Sequence, residues 1–360
     1  MLLTINRCFH KIQQYRYRFI FCVLISISLL SILLNNIKRQ DDIRNCFSHS
    51  NKKTESSKLD DILLSNRKPQ PGKSIFFHET SCSSSSENIL SLNARQACAI
   101  ESAALSNPNF DIFVLFASPT FFNNESSQPI IESLLSYPNV YMRNLNLWTY
   151  AADTPIYDWL INEELFSSKY ALSHISDFLR YLTLWRWGGT YLDLDVIVKK
   201  SLENVPSNYA GAESDTFIAA GVMNFDATGF GHEIAELCLR DFQMHFDGND
   251  WGNNGPGVIT RVLNQVCKTK SPIVMTRDRC FGFHVYSKEA FYAVRWTNWS
   301  HFFEEAYLEN TLLKTKDSIV IHVWNKHSKN KLIKVGSNVA YGKLAEQFCP
   351  KVYSSCGEFF

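Results

Sequence analysis

Residues 173–198, SHISDFLRYLTLWRWGGTYLDLDVIV, limit the possible folds more than any other segment of the chain. Apolar residues follow helical spacing over 175–187, and Gly188 and Gly189 then supply a helix stop. Beyond these glycines the apolar period changes to two, which is typical of a strand. Because strands and helices also alternate elsewhere along the chain, this pattern predicts an α/β fold with a mainly parallel sheet.

The predicted strand carries two carboxylates. In an extended run Tyr191, Asp193 and Asp195 share one side, while the apolar residues between them face the other. Two carboxylates in an apolar strand repel each other unless a cation or hydrogen-bond donors compensate them. A hard divalent ion that bridges a diphosphate compensates the two carboxylates, because it takes oxygen ligands from the protein and from the phosphates. We therefore predict a metal–diphosphate site at Asp193 and Asp195; the alternatives are a structural turn and a calcium site.

Asp177 and Arg180 are three residues apart in the predicted helix, so both project from one face. They form either a surface ion pair or a paired acid and guanidinium that contact a polyhydroxylated ligand. The chain has no G-x-G-x-x-G fingerprint, which weakens an NAD-dependent interpretation. Its formal net charge of +1 gives no field that favours nucleic acid as a partner.

Residues 19–34 contain no formally charged side chain, and residues 35–37 extend the run toward the length of a membrane span. Basic residues precede it, which predicts a cytosolic tail over 1–18, a transmembrane signal-anchor over 19–37 and a luminal remainder. A cleaved signal peptide and a buried core helix are the alternatives. Residues 38–73 are rich in Ser, Asn, Lys and Asp and predict a flexible stem, with order beginning near Ser74.

Two further features agree with a luminal location. Asn124 and Asn298 each begin an N-glycosylation triplet beyond the apolar segment. Eight of the ten cysteines also follow that segment, and in an oxidising lumen they suggest disulfides whose connectivity the sequence leaves open. Cys238 lies within an apolar helical pattern, so we expect a buried free thiol there.

Several motifs occur in an order that resembles the α1,4-glycosyltransferase family. The resemblance covers residues 74–350 and is carried by the following segments: IFFHETS at 75–81, CAIESAA at 98–104, SDFLRY and WGGTYLDLDV within 176–196, CLRDF at 238–242, WGNNGPGVITRV at 251–262, EAFY at 289–292, HVWNK at 322–326 and CP at 349–350. It implies a GT-A (Rossmann-like) fold, a UDP-sugar donor, manganese, a Golgi location and retention of anomeric configuration. It also implies a catalytic domain over 74–360, with a donor half at 74–225 and an acceptor half at 226–360.

The resemblance assigns roles to residues already noted. Asp193 and Asp195 match the metal and diphosphate motif, with Asp195 preferred as the direct ligand. Asp177 and Arg180 match positions that contact the sugar hydroxyls and phosphate of the donor. His322 matches a histidine that completes the metal shell, whereas its apolar strand by itself fits a core histidine as well.

Other candidates keep two interpretations. Asn254 lies either beside the donor sugar, with Trp251 near the acceptor, or in a turn that precedes a helix. Trp324 either stacks on a base or sugar or fills the core. The aromatic run 291–299 forms either an acceptor platform or part of the core. Relatives often have Asn where this chain has Ala220, in the segment expected to line the donor sugar, so the donor stays open.

These features together predict a retaining, manganese-dependent α1,4-glycosyltransferase in the Golgi membrane, with a single-pass type II topology. We expect it to move galactose or GalNAc from a UDP-sugar to the terminal sugar of a glycosphingolipid. The alternatives are transfer of GlcNAc or mannose to a glycoprotein or glycolipid, and an inactive sugar-binding or chaperone relative.

Overall fold

The computed structural model describes residues 2–48, 58–81, 89–122, 128–162 and 164–360, with backbone only at 2–16 and 18. The chain divides into two compact units, Met1–Asn45 and Cys46–Phe360. The described residues of the first unit lie within helix α1 (Leu2–Phe47). An 18-residue window within Phe19–Phe47 has a mean hydropathy of 2.3, and this helix is long and apolar enough to cross a membrane. This confirms the predicted N-terminal apolar helix.

The described part of the predicted stem is ordered, so the expectation of a flexible segment over 38–73 is wrong there. Helix α1 continues to Phe47, and Leu59 and Ile62 are buried. The Ile62 amide donates to the Asn144 carbonyl at 2.9 Å, and Arg67 forms a 2.7 Å ion pair with Asp111. A polar composition suggested disorder, but a few apolar residues within it are enough to hold 58–73 against the rest of the second unit.

The second unit contains all nine strands of the described chain. In chain order they are β1 (Ser74–Glu79), β2 (Asp111–Phe116), β3 (Val140–Asn144), β4 (Gly189–Leu192), β5 (Val196–Val198), β6 (Tyr209–Ala212), β7 (Ile218–Phe225), β8 (His284–Tyr286) and β9 (Val320–His322).

Thirteen further α-helices are described around these strands. They are α2 (Ala94–Ser106), α3 (Pro129–Leu135), α4 (Leu147–Ala151), α5 (Tyr157–Ile161), α6 (Glu164–Ser167), α7 (Ala171–Trp187), α8 (Gly229–Met244), α9 (Pro256–Val266), α10 (Lys288–Phe291), α11 (Leu308–Lys314), α12 (Asn325–Ser328), α13 (Ala340–Phe348) and α14 (Pro350–Ser355). Short 3₁₀ helices lie at Pro272–Val274, Trp296–Phe302 and Glu305–Tyr307.

Seven strands form one mixed sheet in the order β3-β2-β1-β4-β7-β6-β8. Strands β3, β2, β1 and β4 are parallel, whereas β7 runs antiparallel to both β4 and β6. The strand order reverses between β1 and β4, and ligands of open α/β sheets bind at the carboxyl ends of strands beside such a reversal. The arrangement confirms the predicted α/β class and indicates a ligand site at the carboxyl end of β4.

The structure corrects the prediction of one extended run through Asp193 and Asp195. Strand β4 ends at Leu192, residues 193–195 form a turn, and β5 pairs with β9 in a separate two-stranded sheet. The Asp193 amide donates to the Gly221 carbonyl at 2.9 Å, which makes it the last contact of this segment with the large sheet. Both carboxylates therefore lie in the turn between two sheets.

Disulfides connect distant parts of the second unit. Cys98 in α2 bonds Cys349 beside α14, and Cys267 bonds Cys280 in the loop before β8. Cys46 is also disulfide-bonded. Cys238 is a fully buried free thiol, which confirms the expectation from its helical pattern.

Candidate functional site

Asp193, Asp195 and His322 meet beyond the carboxyl end of β4. One potential ligand atom from each lies within 4.8 Å of the others. His322 Nε2 is 3.4 Å from Asp193 Oδ2 and 3.2 Å from Asp195 Oδ1. The β5–β9 register pairs Val196 with His322, so the antiparallel pair brings the histidine beside the aspartate that precedes Val196. The structure thus unites the three residues that the sequence predicted as metal ligands.

The cluster fits the divalent metal that the sequence implies. Two carboxylate oxygens and one imidazole nitrogen form a mixed donor set that suits a divalent ion such as Mn²⁺. Gly221 leaves room beside it, because a Cβ atom there would lie 2.6 Å from Asp193 Oδ2 and 3.2 Å from His322 Nε2. The residues present therefore match the expected group in both chemistry and space.

The electrostatics of the cluster depend on its positive neighbours. Burial by itself would raise the pKa of Asp193, but Arg180 and His322 outweigh it and lower that pKa to about 2. Burial raises the pKa of Asp195, with His322 opposing and Asp193 adding to the rise. Burial alone would lower the pKa of His322, but the two carboxylates raise it. The carboxylate pair is therefore stable only with cationic partners close by.

Asp177 and Arg180 lie directly beside the cluster. They form a 3.0 Å ion pair in which both side chains are less than a tenth exposed, so the surface-pair alternative is wrong. Arg180 Nη1 is 3.5 Å from Asp193 Oδ1 and donates to the Ala220 carbonyl at 2.9 Å. Burial raises the pKa of Asp177 to about 6; Arg180 opposes this and Asp193 adds to it. The four predicted charged residues thus form one continuous site.

Three contacts at this site, which involve Tyr191 and Asn325, were not assigned from the sequence. The Tyr191 hydroxyl donates to Asp193 Oδ1 at 2.7 Å, and the Arg180 guanidinium lies 4.8 Å from the centre of the Tyr191 ring. The Asn325 amide donates to Asp195 Oδ2 at 2.6 Å. The two-residue spacing of Tyr191 and Asp193 carried a signal for the first contact. The contact of Asn325 with Asp195 depends on a backbone amide, and side-chain patterns in the sequence give no information about such a hydrogen bond.

Asn254 lies in the loop before α9, and its role as a donor contact stays a prediction. Its side chain is fully buried, accepts from the Asp247 amide at 3.0 Å and donates to the Asp247 carbonyl at 2.8 Å. The amide nitrogen also lies 3.1 Å from His174 Nδ1. These contacts close the loop before α9 and favour the turn interpretation, because no polar atom of the side chain faces outward.

Trp324 packs against the ring of His322. The two rings have centroids 4.4 Å apart, and the indole nitrogen donates to the Val294 carbonyl at 2.8 Å. Trp324 also adopts a left-handed backbone conformation with φ 58°. Such a conformation in a bulky residue is held only where the surroundings determine it. The packing favours the core interpretation for this indole.

The aromatic run 291–299 divides between core and surface. Phe291 and Tyr292 are buried, whereas Trp296 is 45% exposed. Trp251, in another loop, is 36% exposed, and Lys326 Nζ lies 3.1 Å from the centre of its ring. Both indoles are therefore partly open to solvent, and the Lys326 ammonium covers one face of Trp251.

Of the two predicted glycosylation sites, Asn298 is half-buried in the 3₁₀ helix Trp296–Phe302 and accepts from Thr297 Oγ1 at 2.9 Å. Asn124 lies outside the described residues. Glycosylation at both positions stays a prediction.

Two family models match the chain. One, described as the alpha 1,4-glycosyltransferase conserved region, matches residues 227–356. The other, described as a glycosyltransferase sugar-binding region containing the DXD motif, matches residues 93–212, which include Asp193 and Asp195.

Curated relatives match over most of their length. Human lactosylceramide 4-alpha-galactosyltransferase is 33% identical over 288 residues, which cover 80% of this chain and 78% of the relative. Human alpha-1,4-N-acetylglucosaminyltransferase is 26% identical over 81% of this chain and 82% of the relative. A solved galactosyltransferase, LgtC, is 15% identical, and the match covers 78% of this chain and 96% of that chain. Its TM-score of 0.33 is too low for a structural conclusion. By its sequence, its DXD region and its mixed sheet, the chain belongs to the α1,4-glycosyltransferase family and is a glycosyltransferase with a GT-A fold.

Proposed function

We propose that the chain transfers galactose or GalNAc from a UDP-sugar to the terminal sugar of a glycosphingolipid, with retention of configuration at the anomeric carbon. The observation that carries this proposal is the convergence of Asp193, Asp195 and His322 within 4.8 Å, beside the buried pair of Asp177 and Arg180. This arrangement provides ligands for a cation, a fixed positive charge and a hydrogen-bonding carboxylate in one place. A diphosphate joined to a sugar needs each of these.

Asp193, Asp195 and His322 would hold the divalent ion, for which we propose Mn²⁺. When bound, such an ion acts as a Lewis acid that stabilises the negative charge developing on a departing diphosphate. Tyr191 would keep Asp193 oriented, because its hydroxyl already donates to one oxygen of that carboxylate at 2.7 Å. The Asn325 amide does the same for Asp195 at 2.6 Å.

Arg180 and Asp177 would position the donor. The Arg180 guanidinium is fixed between Asp177, Asp193 and the Ala220 carbonyl, so it needs no rearrangement to offer positive charge to a phosphate. Asp177 would accept a hydrogen bond from a sugar hydroxyl. In the transfer itself, the bond between the anomeric carbon and the diphosphate oxygen breaks, and UDP leaves with the electron pair of that bond. The acceptor oxygen bonds to the anomeric carbon, and its proton passes to the departing diphosphate or to solvent.

The acceptor and the membrane location follow from different observations. The human relative with 33% identity is named for lactosylceramide and for an alpha linkage at position 4, which supports a glycolipid acceptor and an α1,4 product. The apolar helix within α1 supports a single-pass type II protein of the Golgi membrane whose catalytic domain is luminal. Exposed Trp251 and Trp296 would pack against sugar C–H faces of the acceptor.

A donor-by-acceptor screen with the purified full chain tests the proposal. UDP-galactose, UDP-GalNAc, UDP-GlcNAc and a mannose donor are each combined with lactosylceramide, a soluble lactoside and a glycoprotein, and linkage analysis identifies the product. We expect an α1,4 product from UDP-galactose or UDP-GalNAc with a glycolipid, and only when Mn²⁺ is present.

Asp195→Asn is the matched control, since it removes one charge with little change in volume. Transfer of GlcNAc or mannose would show that the donor differs from the proposed one, although the protein would still be a sugar transferase. No transfer and no UDP-sugar hydrolysis with any pair would instead indicate an inactive sugar-binding or chaperone protein.

A further inference from the structure

Arg95, in the first turn of α2, is a buried cation that the proposed reaction does not use. It is 8% exposed, and among the described residues no carboxylate forms an ion pair with it. Its guanidinium carbon lies 4.9 Å from the centre of the Phe303 ring and 5.5 Å from that of Tyr341. A buried charge without a carboxylate needs another polar partner.

That partner is the end of a short helix. Arg95 Nη1 donates to the Ser328 carbonyl at 2.8 Å, and Ser328 is the last residue of α12. The Ser328 carbonyl also accepts from the Lys331 amide at 2.8 Å, so Arg95 is its second donor, and a cation is favourable beside the carbonyls at a helix C-terminus. Ser328 is fully buried, and its hydroxyl donates back to the Val323 carbonyl at 3.2 Å. The C-terminal end of α12 is therefore fixed to α2 through Arg95.

The other end of α12 is fixed to the metal-ligand cluster. The Asn325 amide donates to Asp195 Oδ2 at 2.6 Å, and the Val323 amide donates to the Asp195 carbonyl at 2.9 Å. His322 Nε2 lies 3.2 Å from Asp195 Oδ1. Residues 322–328 are thus held by Asp195 at one end and by Arg95 at the other.

We infer that Arg95 is a positioning residue for the candidate metal site: by holding the C-terminal end of α12, it sets where His322 and the Asn325 amide meet Asp195. The inference rests on the proposed metal-binding role of the cluster. Arg95 touches none of the three ligands, so its loss changes their placement and leaves their chemistry intact. Residues that orient metal ligands in this way commonly affect metal affinity by about 10- to 100-fold.

Arg95→Met tests this in the full chain. Methionine keeps an extended apolar side chain between the two aromatic rings but removes the charge and the donor, and the Ser328 carbonyl keeps its hydrogen bond from the Lys331 amide. Arg279→Met is the matched control, because Arg279 also donates to carbonyls at the end of a helix, those of Cys267 and Lys268 after α9. Those residues lie before β8, the strand at one edge of the large sheet, whereas the cluster lies beyond the end of the central strand β4.

Three measurements are made: Mn²⁺ binding by electron paramagnetic resonance, hydrogen exchange of peptides covering 322–328 without metal, and Tm without metal. We expect Arg95→Met to weaken Mn²⁺ binding about tenfold and to speed exchange at 322–328. Arg279→Met should change neither. Should Arg95→Met fail to fold, Arg95→Lys keeps a cation and one donor and should give an intermediate Mn²⁺ affinity.

Unchanged Mn²⁺ affinity and unchanged exchange in Arg95→Met, with or without a lower Tm, would overturn the inference. If Arg95→Met does not fold, an Arg95→Lys protein with the Mn²⁺ affinity and hydrogen exchange of the wild type would also overturn the inference. A wild-type chain that binds no Mn²⁺ would refute the metal proposal alone, because exchange in the metal-free protein still tests whether Arg95 holds α12.

Discussion

Gly221→Ala should inactivate the enzyme without unfolding it. A Cβ atom at this position would lie 2.6 Å from Asp193 Oδ2, whereas ordinary van der Waals contact begins at 3.4 Å. The carboxylate oxygen must therefore move by about 0.8 Å, which is several times the roughly 0.2 Å tolerance of a metal–ligand distance. The same Cβ would also lie 3.2 Å from two ring atoms of His322, so two of the three ligands are disturbed together.

A displacement of this size near the reacting groups reduces turnover by about 100-fold, or about 2.7 kcal/mol in kcat/KM. Stability should change by no more than about 1 kcal/mol, since alanine restricts the unfolded chain and suits a strand backbone. Gly221 is not among the glycines with positive φ, so the substitution adds no backbone strain.

The assay is a Mn²⁺ titration of sugar transfer, with Tm recorded for the same preparations. Gly342→Ala serves as the control, because its Cβ would meet atoms only at 3.4 Å or beyond within α13. We expect unchanged activity for the control and a large loss for Gly221→Ala. A Gly221→Ala enzyme with kcat/KM within about threefold of wild type would show that a methyl group at this position does not disturb the candidate metal ligands.

Three further outcomes are expected. Asp195→Asn should abolish transfer while the unfolding transition is preserved, and near-normal turnover at saturating Mn²⁺ would contradict its role as a ligand. His322→Ala should raise the Mn²⁺ concentration for half-maximal activity and recover partly at high Mn²⁺, because water can replace one nitrogen ligand; a lower metal-free Tm with an unchanged Mn²⁺ requirement would instead assign His322 to the core. A chain that begins at Asp41 should be soluble and active, whereas one that begins at Ser74 should unfold at lower temperature because it lacks buried Leu59 and Ile62; equal Tm values for the two would show that 58–73 adds no stability.

Much of the site could be predicted from one short segment. Helical spacing, the two glycines and the pair of aspartates occur within residues 173–198, and their pattern depends on neighbours only a few positions away. The helix α7 was expected close to where it lies for the same reason. The turn at 193–195 was not expected, because alternation alone does not reveal that a strand leaves one sheet and joins another.

What the sequence by itself determined is the local chemistry: an apolar N-terminal helix, an α/β alternation, and carboxylates and a guanidinium at spacings that suit a metal and a diphosphate. What only the tertiary structure decided is which distant residues complete that chemistry. His322 is 129 residues from Asp193 and reaches it through the β5–β9 pairing, and Arg95 reaches Ser328 across 233 residues. The side chain of Asn254, a predicted donor contact, bonds to Asp247 in its own loop and lies 3.1 Å from His174 in α7. Such contacts depend on how whole elements pack, and local periodicity carries no information about that packing.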